Sequence, residues 1–325
     1  MILKAKSSLG PALTFFNNAP VIAFISSTDS QLTLTNPANE IIPVTLIGPP
    51  GSSGRIPVIC TARPSIIASG KWLLIAWADT FGRVNIAGSS DGKVFGDVMT
   101  FPTLLCKPGT GPCLGSVVNH VTTFVEIALF WIGINQPHPI HYSVGEFNSR
   151  VPWSPVATLS DTSTDTPGIS SLQQNPSAAE VVTASTFLAW SGTDGRGTLT
   201  FEQVSVPGGP GSQRHVYDNS QNGGQDVSPV GPAVAAFPNG GPITLAYTGN
   251  DNHFRSISSL NPPPLPQSTR NADSRVRQDY ADTSFVSPAI AYDDRGSLFW
   301  AWTGTDGPPG SLNFQSDASM SKSTL

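Results

Sequence analysis

The stretch Leu188-Ala189-Trp190-Ser191-Gly192-Thr193-Asp194 is a short apolar run that ends in an aromatic residue and a polar turn, and it returns as Trp300-Ala301-Trp302-Thr303-Gly304-Thr305-Asp306. Weaker copies are Leu245-Ala246-Tyr247-Thr248-Gly249-Asn250-Asp251, Ile75-Ala76-Trp77-Ala78-Asp79, Leu129-Phe130-Trp131-Ile132-Gly133 and Ile22-Ala23-Phe24. The marker aromatics Phe24, Trp77, Trp131, Trp190, Tyr247 and Trp302 lie 53, 54, 59, 57 and 55 residues apart. Six units of that period account for the whole chain of 325 residues. A fixed period of this length is the mark of a repeat architecture, in which each unit buries its apolar face against the next.

A second marker stands upstream of each aromatic: a small or polar residue, then Pro, then a short apolar run. The copies are Gly10-Pro11, Arg63-Pro64, Gly111-Pro112, Asn175-Pro176, Gly231-Pro232 and Ser287-Pro288. Proline is tolerated at the first position of a strand, where its missing N–H is not needed. Between the two markers lie turn signals such as Asn239-Gly240-Gly241 and Asp293-Asp294-Arg295-Gly296, which suit a hairpin. After the Gly-Thr-Asp turn a third strand follows, as in Arg83–Ala87 or Thr198–Phe201, and then a more variable fourth. Four antiparallel strands per unit make the blade of a β-propeller.

The expected fold is therefore all-β: a six-bladed β-propeller of four-stranded antiparallel blades, forming a single domain over 1–325. The approximate blades are 8–60, 61–108, 109–162, 163–226, 227–282, and 283–325 with 1–7. The last unit runs out after Ser311–Gln315, whereas Ile2–Lys6 reads as a strand without a partner. The N-terminal strand is expected to complete the last blade and close the ring, removing an open sheet edge.

Composition narrows the function classes. Charged residues are 12% of the chain, about half the usual share. The 31 glycines and 30 prolines punctuate many tight connections. A net charge of −5 offers no basic surface for phosphates, so no nucleic-acid partner is expected. No apolar run reaches the length of a membrane span. The N-terminus lacks the apolar segment of a secretory leader, and a cytoplasmic or non-classically exported protein is expected. Cys106 and Cys113 bracket a loop that would accommodate a small bridge, but the odd count of 3 cysteines favours reduced thiols. The histidines His120, His138, His141, His215 and His253 are too scattered for a metal motif, and no cofactor motif is present. Gly208-Gly209-Pro210-Gly211 and Pro262-Pro263-Pro264 read as loop breakers.

The units resemble the Asp-box, sialidase-like propeller repeat. Ser89-Ser90-Asp91-Gly92-Lys93-Val94-Phe95 is the nearest match to the family's box turn between third and fourth strands, and Ser316-Asp317 is a remnant of another. The resemblance implies a structural Asp91 on a turn away from the ligand face. Sialidase chemistry itself is not expected. Arg55-Ile56-Pro57 matches that family's arginine motif but falls too far upstream of Trp77, and no tyrosine pairs obviously with Glu40, Glu126, Glu146, Glu180 or Glu202.

Loops between second and third strands share one face of a propeller, so the turns carrying Asp29, Asp79, Asn135, Asp194, Asp251 and Asp306 are expected to ring that surface. An Asp in such a turn accepts backbone N–H groups. The ligand-binding candidates are these aspartates with the residues that vary beside them: Asp79, Phe81, Arg83, His138, Asp194, Arg196, Asp251, His253, Phe254 and Asp306. Carboxylates, amides and cations bind hydroxyls, and an exposed aromatic stacks on the apolar face of a sugar. The expectation is a lectin-like, carbohydrate-binding propeller without a catalytic residue, its sites on the loop face or between blades and its partner a glycan or other small molecule. The alternative is an enzyme with one site at the channel mouth, a glycoside hydrolase or a non-hydrolytic enzyme acting on a small apolar substrate, fed by the insertions at Gln203–Gln225 and Pro262–Tyr280.

Overall fold

The computed structural model describes residues 1–47, 55–118, 125–149, 151–171, 186–205, 209–216, 226–237, 242–259, 275–305 and 310–323. The chain opens with β1 (Ile2–Ser7). Blade one is β2 (Ala12–Phe16), β3 (Ala19–Ile25), β4 (Leu32–Thr35) and β5 (Ile41–Pro43), followed by a two-stranded extra, β6 (Thr45–Ile47) and β7 (Arg55–Pro57). Blade two is β8 (Ser65–Ser69), β9 (Trp72–Ala78), β10 (Arg83–Ser89) and β11 (Gly96–Leu105). Blade three is β12 (Cys113–Val118), β13 (Val125–Ile132), β14 (Pro139–Gly145) and β15 (Ala157–Thr162). Blade four is β16 (Gly168–Ser171), β17 (Thr186–Ser191), β18 (Leu199–Ser205) and β19 (Gly209–Val216). Blade five is β20 (Ala233–Ala236), β21 (Ile243–Thr248), β22 (His253–Ser259) and β23 (Arg275–Thr283), and blade six is β24 (Ala289–Tyr292), β25 (Leu298–Thr303) and β26 (Gly310–Ser316) with β1. A final short strand, β27 (Lys322–Ser323), joins the outer edge of blade five.

The ring closes as expected. β1 pairs antiparallel with β26, Ile2 opposite Asn313 and Ser7 opposite Gly310, and its alternate residues Leu3 and Ala5 are buried. The molecule is a six-bladed propeller.

The core is divided into six clusters, one between each pair of adjacent blades. Trp77, Trp131, Trp190, Tyr247, Trp302 and Phe24 are all buried, and each faces the blade before its own. This common orientation explains the repeated aromatic: it fills the wedge between one blade and the next. Burying such a side chain is worth about 1.5–3 kcal/mol.

The loops before the first strands interlock around the channel. A Cβ on Gly111 would lie 1.9 Å from the carbonyl oxygen of Arg63, and one on Gly231 would lie 2.0 Å from that of Thr166. Arg63, Thr166 and Ser287 precede the prolines of blades two, four and six, whereas Gly10, Gly111 and Gly231 precede those of blades one, three and five. Glycine and residues that carry a side chain thus alternate around the ring, and each glycine makes room for its neighbour's backbone.

Two expectations are corrected. The first strand of blade four begins at Gly168 after Thr166-Pro167, and Asn175-Pro176 falls outside the described residues. The Asp165-Thr166 loop fixes that start: the Asp165 carboxylate accepts the N–H groups of Thr166 at 2.6 Å and Gly231 at 2.7 Å. Gly209-Pro210-Gly211 is no breaker either, because it opens β19, which pairs with β18 along its length. Partnership on one edge overrides local composition there.

Candidate functional site

First-to-second and third-to-fourth strand turns lie on the lower face of the disc, and second-to-third turns on the upper face. On the upper face the aspartates behave as turn formers. Asp79 Oδ1 accepts the N–H groups of Phe81 at 2.9 Å and Arg83 at 3.0 Å, and its Oδ2 meets the Arg83 guanidinium at 2.7 Å. Asp194 Oδ1 accepts the N–H groups of Arg196 at 3.0 Å and Gly197 at 2.9 Å, and its Oδ2 accepts the Thr198 hydroxyl. That hydroxyl first, and then the turn N–H groups, hold Asp194 below the usual carboxylate range. Asp29 caps the N–H of Gln31 at 3.1 Å. Asp251 accepts the N–H of His253 at 3.2 Å and takes Arg255 in a fork at 2.8 and 2.6 Å.

The remaining candidates are scattered. Phe81 is 76% exposed, with the Arg83 guanidinium 5.0 Å from its ring centre. His138 sits in its own turn, its Nδ1 3.3 Å from the Gly133 carbonyl oxygen. Arg196 is exposed. His253 has a buried Nδ1 without a hydrogen-bond partner. Phe254 is fully buried against Trp300 and Trp302, because it alternates with His253 and Arg255 along β22 and points into the interface with blade six. Asp306 lies outside the described residues. The structure therefore brings together Asp79, Phe81 and Arg83 in one turn, and Asp251, His253 and Arg255 in another.

Cavities of ligand size among the described residues include the following three. The central channel, about 550 Å³, is lined by first strands of all six blades. At its upper mouth Arg63 donates to the carbonyl oxygens of Pro11 at 3.2 Å and Pro288 at 2.8 Å, joining blades one, two and six. At its lower mouth Asp293 caps its own turn, accepting the N–H of Ser297 at 2.7 Å. Arg63 Nε and Nη2 are thus engaged in closing the ring, while its buried Nη1 has no hydrogen-bond partner among the described residues. Arg55-Ile56-Pro57 is far from this mouth, exposed on the β6–β7 extra.

A second cavity is a cleft of about 630 Å³ between blades five and six, opening on the lower face. Two hydroxyl chains wall it. In one, the Tyr280 hydroxyl donates to Asp317 Oδ1 at 2.5 Å, the Ser256 hydroxyl lies 3.0 Å from that of Tyr280, and Lys322 Nζ is 3.5 Å from Asp317 Oδ2. Trp300 Nε1 also donates to Asp317 Oδ1, at 3.1 Å. In the other, the Thr244 hydroxyl bridges those of Ser258 at 2.9 Å and Tyr292 at 2.8 Å. Burial, and then the bond to Asp317, push the Tyr280 phenol up, so it remains a neutral donor. Gln278 gives its amide N–H to the Asp279 carbonyl oxygen at 2.7 Å, and Phe299 adds an aromatic face. The cleft offers acceptors, donors and aromatic rings within one concave surface.

The third cavity, about 300 Å³, lies between blades one and two toward the upper face. Its inner wall is a rung of three directly paired positions, Trp77 opposite Asn85 and Asn85 opposite Thr100. Directly opposed residues share a sheet face. The corresponding rung differs in every other blade. It reads Trp131–His141–Thr158 in blade three, Tyr247–Arg255–Asp279 in blade five, Trp302–Asn313–Ile2 in blade six and Phe24–Thr33–Pro43 in blade one. In blade five ion pairs fill it. Arg255 Nε meets Asp279 at 2.9 Å, Arg277 meets the buried Asp226 at 3.2 Å, and the Tyr247 hydroxyl donates to Asp226 at 2.5 Å.

No sequence pattern unites the lining of either cleft: Ser316-Asp317 reads as a degenerate turn, and the other lower-cleft residues come from separate strands. The three cysteines, Cys60, Cys106 and Cys113, are buried thiols without a disulfide, and burial pushes Cys60 and Cys106 up to about 12. Among the described residues no cluster of His, Cys, Asp and Glu could hold a metal, and no helix is long and apolar enough to cross a membrane.

No protein-family model matches the chain, and no curated protein matches it in sequence. Solved structures do resemble it. AofleA from Arthrobotrys oligospora superposes with a TM-score of 0.60 at 10% identity, covering 100% of this chain and 89% of that one. The Aleuria aurantia lectin, a six-bladed β-propeller with a novel mode of fucose recognition, gives a TM-score of 0.53 at 9% identity over 98% of this chain and 96% of that one. The SapL1 lectin, in complex with α-methyl fucoside, gives 0.61 at 10% identity over 98% and 96%. At such identity the likeness establishes the fold.

Proposed function

We propose that this chain is a carbohydrate-binding, lectin-like propeller that holds a sugar in the lower cleft between blades five and six. The observation that carries the reading is the lining of that cleft, where hydroxyl, amide, carboxylate and ammonium groups converge beside Tyr292 and Phe299. Sugar hydroxyls both donate and accept, so a site for them needs both kinds of partner. Aromatic rings take the apolar face of a pyranose. Support also comes from the fold, since the Aleuria aurantia lectin recognises fucose and SapL1 binds α-methyl fucoside. The cleft opens on the face opposite the Gly-Thr-Asp turns, whose carboxylates are taken up by their own backbone.

The turn at Ser89–Phe95 supports our reading of a relic Asp box. It joins third and fourth strands, and Asp91 Oδ1 accepts the Ser89 hydroxyl at 2.8 Å, the Lys93 N–H at 2.8 Å and the Val94 N–H at 3.0 Å.

A glycan array read with the purified chain tests the function. Binding to at least one glycan is expected, and it should be weakened in the double variant Gln278→Ala, Lys322→Ala, which strips partners from the cleft. Absence of binding at the high glycan density that rewards avidity would refute the reading.

A further inference from the structure

We infer that the cleft between blades one and two is a second ligand site, on the opposite face of the disc, shaped for the neighbouring hydroxyls of one neutral sugar ring. The inference rests on the carbohydrate reading above and extends it to residues that reading does not use.

The proton accounting of the rung is the first argument. Thr100 gives its hydroxyl proton to Asn85 Oδ1 at 2.8 Å, and Asn85 Nδ2 gives one of its two protons to the Arg83 carbonyl oxygen at 2.9 Å. The second Nδ2 proton has no acceptor among the described residues, and the Thr100 oxygen keeps its lone pairs. The rung thus presents one donor and one acceptor side by side. Two adjacent sugar hydroxyls, one accepting and one donating, complement that pair.

Charge and size narrow the ligand. Asp79, at the rim of the cleft, is neutralised by Arg83 at 2.7 Å, so the wall favours a neutral ring over an acidic one. The volume of about 300 Å³ is at the lower limit of ligand pockets and admits one ring rather than a chain. Trp77 forms the floor, and the half-exposed Ile59 and Val98 form the lips.

The rungs of blades one, three and five do not offer the same pair. In blade five the rung is consumed by ion pairs, in blade one it is Phe24–Thr33–Pro43, and in blade three the His141 ring is already bonded to Thr158 at 2.8 Å. Among the described residues, blade one alone is followed by such an extra, β6–β7, whose Leu46 and Pro57 supply the outer wall. With sites on both faces, one chain would bridge two glycans.

Titration calorimetry with methyl α-L-fucoside, methyl α-D-mannoside and methyl β-D-galactoside on the full chain tests this. Two equivalents of at least one glycoside are expected. Thr100→Val should weaken one of them about tenfold. Val98→Trp, which plugs the entrance without touching the rung, should remove the same equivalent. The Gln278→Ala, Lys322→Ala variant should weaken the other. A single equivalent, weakened in that double variant and untouched by Thr100→Val and Val98→Trp, would overturn the second site and leave the carbohydrate reading standing. No binding of any glycoside would overturn both.

Discussion

Removing the Asp317 carboxylate tests how the lower cleft is held together. Its Oδ1 accepts protons from Tyr280 and Trp300, whose side chains are 2% and 0% exposed. Asp317→Ala leaves the Trp300 N–H without this acceptor and the Tyr280 hydroxyl with only the Ser256 oxygen at 3.0 Å, at about 1–3 kcal/mol for each lost charge-assisted bond, or about 2–6 kcal/mol together. Asp317→Asn keeps a carbonyl oxygen in place and loses only the charge-assisted part, about 1 kcal/mol. The ion pair to the half-exposed Lys322, at 3.5 Å, adds little to either figure. Unfolding entropy scales with length, and for 325 residues it is roughly 0.7 kcal/mol per degree near 60 °C. The alanine variant should therefore melt about 3–9 °C lower and the asparagine variant about 1–2 °C lower. Both are read by circular dichroism at one fixed scan rate, since a ring of this size is apt to unfold irreversibly. Equal losses in the two variants would refute the argument, because the buried donors would then be satisfied by something other than this oxygen.

Two further outcomes are expected. Gly111→Ala puts a methyl group 1.9 Å from the Arg63 carbonyl oxygen, so it should lower the melting temperature well beyond Gly109→Ala, which carries a φ of +83° but meets open space and costs about 1 kcal/mol. Similar losses in both would show that the loops around the channel are looser than the packing indicates. Asp91 is held down at about 2 by the Val94 N–H first, then the Lys93 N–H and the Ser89 hydroxyl, from an ordinary value of 3.8. A depressed carboxylate contributes stability that is present above its ordinary value and lost as pH falls through the folded one. Wild type should thus lose more stability than Asp91→Asn between about pH 4 and 2 in urea titrations, and parallel curves would exclude the turn as an acid-sensitive element.

The fold was legible because one side chain per unit performs one task. Trp77, Trp131, Trp190, Tyr247, Trp302 and Phe24 each wedge against the preceding blade, and a wedge tolerates only a large ring. The start of blade four was not legible, since Pro167 stands 23 residues before Trp190 and a later proline matched the spacing better. β19 was hidden by Gly209-Pro210-Gly211, whose strand conformation comes from its partner β18. The turn aspartates were correctly read as acceptors of backbone N–H groups, and that same capping explains why so few of their lone pairs remain for a ligand. The lower cleft escaped because Ser256, Tyr280, Tyr292, Asp317 and Lys322 come from three strands and a terminal tail. No local pattern joins them until the fifth and sixth blades are packed.

The rungs show where a repeat protein has freedom to diverge. The marker aromatic at the inner end of each rung is constrained by the wedge, so it varies only among Phe, Tyr and Trp. The two positions outward from it are Asn85 and Thr100, His141 and Thr158, or Arg255 and Asp279, and every set keeps its strands paired in the same register. Backbone pairing is indifferent to these side chains as long as they satisfy one another. Arg255 and Asp279 do so completely, whereas Asn85 and Thr100 leave one proton and one set of lone pairs unspent. A rung that satisfies itself fastens two blades, and the Asn85–Thr100 rung, with a cavity in front of it, is the one for which a ligand is proposed. The repeated residues hold the ring, and the second site proposed above draws on the pair beside one of them.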